Sequence, residues 1–178
     1  MPDKAALRRE LRARRDAFVR AGPLPIPVPP EFLAKLAHGL TIASYVPIGS
    51  EADPALLARA AVAAGCQIAL PHVTSREEPL RFLAWDTEAA LAAGPFGLSQ
   101  PTADAAELHP DLILTPLVGF DAARNRLGQG AGHYDRAFEH FPDAYRIGVA
   151  WSVQEVAALP ADPWDVPLHA VLTEEGWR

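Results

Sequence analysis

The chain has 178 residues, close to one ordinary domain and long enough to bury roughly two-thirds of its unfolded surface in a single core. Hydrophobic residues make up 49% and charged residues 21%, a globular balance, and no run of about 18 apolar residues is available to span a membrane. The formal net charge of −6 hides an asymmetry, because Lys4, Arg8, Arg9, Arg12, Arg14, Arg15 and Arg20 crowd the start; the acidic remainder would repel a nucleic-acid backbone, so the expected anion is a small polyphosphate.

The opening Met1-Pro2-Asp3-Lys4 lacks the apolar stretch of a secretory signal, and Asp3, Glu10 and Asp16 argue against a transit peptide, so the N-terminus reads as part of the mature fold. From Asp3 to Arg20, Leu7, Leu11 and Phe18 recur at helical spacing while Lys4, Arg8, Arg12 and Arg15 line a neighbouring face, which predicts a basic amphipathic helix over about 3–20. Gly22 and the prolines of Ala21–Pro30 predict an extended surface connector over about 21–30, followed by a short helix from Phe32 to Leu36. Thr41–Val46 reads as a strand, Asp53-Pro54 as the start of a helix reaching Ala64, and Gly65 as its stop. Cys66, the only cysteine, is expected in the core; it excludes an internal disulfide and fits a cytoplasmic location.

Further strands are predicted at Gln67–Leu70, Leu80–Trp85, Asp111–Thr115, Arg146–Trp151 and Leu168–Thr173. Their apolar runs are continuous rather than alternating, so the chain is assigned as one domain spanning 1–178, an α/β fold with a mostly parallel sheet flanked by helices. Leu80–Trp85 is the candidate antiparallel edge. Ligands of such sheets bind beyond the carboxyl ends of the strands, which directs attention to the loops after Val46, Leu70, Thr115 and Trp151. Trp85, Trp151 and Trp164 are expected as core residues or pocket walls.

The most specific stretch runs from Gly119 to Arg136, between the Asp111–Thr115 strand and a helix starting near His133. Gly128, Gly130 and Gly132 allow backbone N–H groups to approach a phosphate, the helix start offers its positive end, and Arg126 adds a full charge; Asp135 could hold magnesium against the phosphates. Neither the Walker A nor the dinucleotide fingerprint is matched. His133 and His140 are two helical turns apart, too far to share a metal ion.

Phe120-Asp121 and Arg126-Leu127-Gly128-Gln129-Gly130-Ala131-Gly132-His133-Tyr134-Asp135-Arg136 resemble the signature of the 5-formyltetrahydrofolate cyclo-ligase (methenyltetrahydrofolate synthetase) family. Lys4 and Arg8 resemble its N-terminal Lys-x-x-x-Arg, and Tyr45 to Pro71 its folate-binding strand, loop and helix. The resemblance implies a fold related to sugar-phosphate isomerases and CoA transferases, and an ATP- and Mg2+-dependent closure of 5-formyltetrahydrofolate to 5,10-methenyltetrahydrofolate. It implies ATP held by Lys4, Arg8, Arg126, Leu127, Gly128, Gln129, Gly130, Ala131, Gly132, His133 and Tyr134. By the same carry-over Val46, Glu51, Gln129, His133 and Tyr134 face the folate, Arg126 and Tyr134 position the reactants without a covalent nucleophile, and Asp135 and Asp165 ligate magnesium.

The expected partners are therefore reduced folate and ATP, with no nucleic acid and no membrane, and the expected state is a monomer. Gln129 and Ala131 stand where a basic residue is common, His133 where tyrosine is common, and Gln100 where a Gly-x-x-Glu-Pro motif carries glutamate, which predicts weaker phosphate binding and a displaced carboxylate role. Two other readings are a non-catalytic folate or nucleotide binder, and an isomerase or CoA-transferase-like enzyme that works without ATP.

Overall fold

A computed structural model describes residues 3–160 and 162–178; Met1 and Pro2, and with them the reading of the chain's start, lie outside the described residues. Helix α1 runs Lys4–Arg20, with Asp3 at its cap accepting a hydrogen bond from the Ala5 N–H at 3.0 Å. Its inward stripe serves two cores. Leu7 and Leu11 pack with Val118 and Leu127, whereas Phe18 and Val19 reach the core beneath the main sheet.

The connector is extended as expected, but Ile26 is only 1% exposed, so this segment is pinned to the body rather than lying free on the surface. The short helix α2, Pro30–Leu33, begins two residues earlier than the sequence suggested because Pro30 fits the first helical position, where no N–H is needed. Helix α3 spans Ala55–Ala63, and α4 spans His133–His140.

The strands are β1 Thr41–Ala43, β2 Gln67–His72, β3 Arg81–Trp85, β4 Ala92–Ala93, β5 Ser99–Gln100, β6 Leu112–Pro116, β7 Gly119–Asp121, β8 Arg126–Leu127, β9 Tyr145–Val149, β10 Glu155–Val156, β11 Ala170–Thr173 and β12 Gly176–Trp177. Seven of them form one sheet in the order β12-β11-β9-β6-β1-β2-β3. The five inner strands are parallel, with Ile42 opposite both Ile68 and Leu112, and each edge is antiparallel. The Leu80–Trp85 edge is thus found, as β3.

Alternation along these strands feeds two covered faces. Ile42, Ile68, Leu112, Leu114, Ile147 and Leu172 point toward α3 residues Leu57, Ala58 and Ala61 and toward Phe32. Ala43, Ala69, Ile113 and Val171 face α4 residues Ala137 and Phe138, with Phe82 and Phe120. Burial on both sides is why the runs read as continuously apolar.

Two small sheets, β10-β7-β8 and the hairpin β4-β5, were not anticipated; strands of two or three residues are too short to leave a periodic trace. Trp151 is buried, its ring 5.8 Å from Phe18, and Trp85 is half-buried, but Trp164 is 66% exposed, correcting its assignment to the core or a pocket wall. No described helix is long and apolar enough to cross a membrane.

Candidate active site

The carboxyl ends of β1, β2 and β6 open into a cleft of about 600 Å³, floored by Tyr45, Val46, Pro71, Val73 and Pro116. Three of the four loops flagged from the sequence therefore line it. The fourth acts from behind: Trp151 Nε1 donates to the Ser50 carbonyl at 3.0 Å and braces the Ile48–Glu51 wall. Helix α1 adds Arg12, Arg15 and Asp16, and the loop before α4 adds Arg126 and Gln129–Tyr134.

That loop is built in two parts. The first is a turn fixed by Asp121, whose Oδ1 accepts from the Ala123 and Asn125 N–H groups and whose Oδ2 accepts from Asn125 Nδ2 and the Leu159 N–H, all at 2.9–3.0 Å. The signature aspartate thus holds the backbone rather than a ligand. Leu127 turns its side chain into the core against Leu11 and Val118, which anchors β8.

In the second part Gly130 and Gly132 take φ of 107° and 70°, values L side chains seldom adopt, and Gly132 caps α4 without a side chain. The helix start is therefore left open to an anion. Arginines close around it. Arg8 Nε donates to the Gly128 carbonyl at 2.8 Å, Arg12 Nη2 to Gln129 Oε1 at 2.5 Å, and Arg136 Nη1 to the Ala131 carbonyl at 3.1 Å. Arg8 and Arg12 of α1 and Arg136 of α4 thus stand around positions 129 and 131, where a basic side chain is common.

Arg126 pairs with Asp135 and lies over the Phe138 and Tyr134 rings at 5.1 and 6.0 Å; its side chain is 6% exposed, and its Nε has no partner among the described residues. Glu51, 9% exposed, accepts from the Ile48 N–H at 3.0 Å and from Gln129 Nε2 at 3.1 Å. Burial first, and the Glu51 charge second, hold the Tyr45 and Tyr134 phenols above their ordinary range, so both remain neutral donors.

His133 opens α4 beside these arginines. Burial, reinforced by Arg136 and Arg76, lowers its pKa and favours the neutral ring. Arg136 Nη2 lies 3.1 Å from Nδ1, and because a guanidinium only donates, Nδ1 accepts and Nε2 carries the hydrogen. That Nε2 is buried and has no partner among the described residues.

Lys4 and Asp165 meet each other instead of the cleft. Lys4 Nζ bonds Asp162 at 2.5 Å and Asp165 at 3.2 Å, and the Asp162 bond raises its pKa. Among the described residues no three His, Cys, Asp or Glu side chains are grouped to hold a metal ion. Magnesium carried by phosphates needs only one or two carboxylates. Arg126 engages Oδ1 of Asp135, and Lys4 and the Asp162 N–H engage Oδ2 of Asp165, so each carboxylate has one oxygen so engaged; Asp135 is the one that directly follows the glycine loop.

Several cleft residues escaped the sequence reading. Arg15, 5% exposed, donates Nε to Ser50 Oγ at 2.9 Å beside Glu51. Arg76 and Phe96 form a rim, 5.3 Å apart, with Phe96 54% exposed at φ 60°. The available signal was an aromatic in Gly94-Pro95-Phe96-Gly97, a turn with no reason to carry one. Gln100 is explained by its partners. Its Oε1 accepts from the Val73 N–H and its Nε2 donates to the Val73 carbonyl, a reciprocal pair that a glutamate could not complete.

A cleft at the carboxyl ends of a parallel sheet, walled by a basic helix and a glycine-rich loop opening a helix, defines an α/β protein that takes an anionic ligand. Residues 1–174 match the pattern of the 5-formyltetrahydrofolate cyclo-ligase family, and the chain belongs to that family. It is 33% identical over 146 residues to the 5-formyltetrahydrofolate cyclo-ligase of Escherichia coli (strain K12), covering 78% of this chain and 79% of the relative. A relative of the same name from Mycolicibacterium smegmatis is 34% identical over 143 residues, 76% of this chain and 74% of its own.

Two solved structures are similar. The 5,10-methenyltetrahydrofolate synthetase of Aquifex aeolicus, determined by NMR, gives a TM-score of 0.70 at 26% identity over 98% of this chain and 91% of that one. The 5,10-methenyltetrahydrofolate synthetase of Mycoplasma pneumoniae gives 0.68 at 23% identity over 97% and 99%, a likeness of fold.

Proposed function

We propose that this chain binds ATP and 5-formyltetrahydrofolate together in the cleft and converts them to 5,10-methenyltetrahydrofolate, ADP and phosphate. The observation that carries this reading is the meeting, in one cleft, of an arginine-ringed glycine loop and a buried carboxylate, Glu51. The first suits a polyphosphate. The second suits the donor edge of a pterin, to which an ionised carboxylate offers only acceptors.

A formamide is a poor electrophile and its oxygen a poor leaving group, and phosphorylation corrects both. The formyl oxygen attacks the γ-phosphorus as the bond to the bridging oxygen breaks, releasing ADP. The 10-nitrogen then bonds the activated carbon and loses its proton to solvent, and the carbon–oxygen bond breaks to release phosphate. Little covalent work falls to the chain, so positioning and charge neutralisation dominate.

In that scheme Arg8 and the amides of Gly128–Gly132 hold the phosphates, and Arg126 neutralises the charge that develops during transfer. Lys4, held by Asp162 and Asp165, keeps one of its three donors for the nucleotide. Glu51 orients the pterin over Val46, and Tyr134 and the Nε2 hydrogen of His133 are donors toward the shared boundary. Asp135 would hold Mg2+, which when bound offsets phosphate charge.

The reading is tested by incubating the protein with 5-formyltetrahydrofolate, ATP and magnesium. It predicts methenyl absorbance growing in step with phosphate, one for one. A non-catalytic binder would retain both ligands without product, and phosphate release without methenyl absorbance would make the chain an ATPase of another kind.

A further inference from the structure

The residue at 129 joins the two halves of the cleft. Arg12 on α1 donates from Nη2 and Nε to Gln129 Oε1, at 2.5 and 3.2 Å. Gln129 Nε2 donates to Glu51 Oε1 at 3.1 Å, and Glu51 Oε2 is fixed by the Ile48 N–H at 3.0 Å. One amide thus links the basic helix, the glycine loop and the folate-facing carboxylate. Only a side chain with an acceptor and a donor on one rigid group does this: a lysine at 129 would pair with Glu51 and repel Arg12, and a glutamate would pair with Arg12 and repel Glu51.

From this bridge we infer that Arg12 and Gln129 are positioning residues that couple the two ligands, so that ATP on the loop sets Glu51 for the pterin and raises affinity for the folate. The inference rests on the ligase reading above. The physical route is short. Phosphate held by the Gly128–Gly132 amides and by Arg8 fixes the loop backbone, and the fixed backbone holds Gln129 between Arg12 and Glu51. Bridge hydrogen bonds that the phosphate keeps formed are ones the folate does not have to order on arrival. A second ligand that meets an already ordered partner binds more tightly, and by linkage the folate tightens ATP by the same factor.

The test measures the dissociation constant of 5-formyltetrahydrofolate with and without a non-hydrolysable β,γ-methylene ATP analogue. In the unaltered protein the analogue tightens the folate about tenfold. In Gln129→Met, which keeps length and loses all three side-chain hydrogen bonds, the factor falls to near one whatever the change in each ligand's affinity alone. Arg12→Ala lowers the factor as well, Arg12→Lys restores part of it by keeping one donor, and Arg12→Ala with Gln129→Met loses no more than either alone, because both lie on one route. If Gln129→Met does not fold, Gln129→Ala serves, since it withdraws the side chain from both Arg12 and Glu51; its factor also falls to near one.

A factor unchanged in these variants while both ligands bind overturns the inference, as does an unaltered protein whose folate affinity ignores the analogue. Failure of the ligase reading looks different: the unaltered protein binds one ligand or neither, or binds both and makes no methenyl product.

Discussion

Two neighbouring parts of one signature behave in opposite ways. In the Asp121–Asn125 turn a carboxylate at 4% exposure is met by four donors, and nothing in it is left for a ligand. A few residues on, the Arg126–Arg136 segment holds positive-φ glycines and three buried nitrogens without partners among the described residues, on Arg126, His133 and Arg136. Buried polar groups in a folded chain are normally paired. The turn therefore spends its polarity on the fold, and the loop keeps its polarity for something that arrives.

The sharpest way to break this comparison is to damage the turn. Asp121→Ala leaves four donors without an acceptor and should lower unfolding stability by roughly 3 kcal/mol, with both ligands affected only through the folded fraction. Denaturant unfolding checks it. A stable Asp121→Ala protein with selectively weakened ATP binding would move that carboxylate into the ligand site.

Arg126→Ala should act on the nucleotide, raising the Michaelis constant for ATP by about 30-fold to 100-fold with folate affinity little changed, and the loss of a buried guanidinium paired with Asp135 also lowers the melting temperature. Arg126→Lys should recover part of the loss, since the charge is kept and the fork is not. Steady-state kinetics with each substrate varied separates these outcomes. Glu51→Gln should weaken the folate about tenfold and leave ATP alone, because one of two carboxylate acceptors becomes a donor facing donors.

The smallest expected effect is on pH. The folded pKa of His133 lies below its ordinary value of 6.5, so folding binds fewer protons there than unfolding does. Its contribution to stability is present above that ordinary value and is lost as pH falls through the folded one. Melting temperatures measured downward from neutral pH should fall less steeply in His133→Gln than in the unaltered protein.

The same contrast explains what was legible in the sequence. The inner strands and α1, α3 and α4 announce themselves because burial on one or both faces imposes long apolar patterns, as with Ile42, Ile68 and Leu112 across three paired strands. β10 and β12, two residues each, carry no pattern and exist because neighbouring strands offer unpaired backbone. Within the site, the loop was legible as glycines and arginines close in sequence. Arg15, Arg76 and Phe96 were not, because they meet the loop only through tertiary folding. The roles of Gln129 and Gln100 were also hidden: each was a departure from a family habit until its hydrogen-bond partners were in view.

Which half of the signature meets the nucleotide is measured most directly by amide hydrogen exchange with and without ATP and magnesium. The account predicts strong new protection across Gly128–Tyr134 and no change in the Asp121–Asn125 turn, whose amides are already bonded. Protection that appears in the turn or elsewhere, with Gly128–Tyr134 exchanging as before, would contradict it.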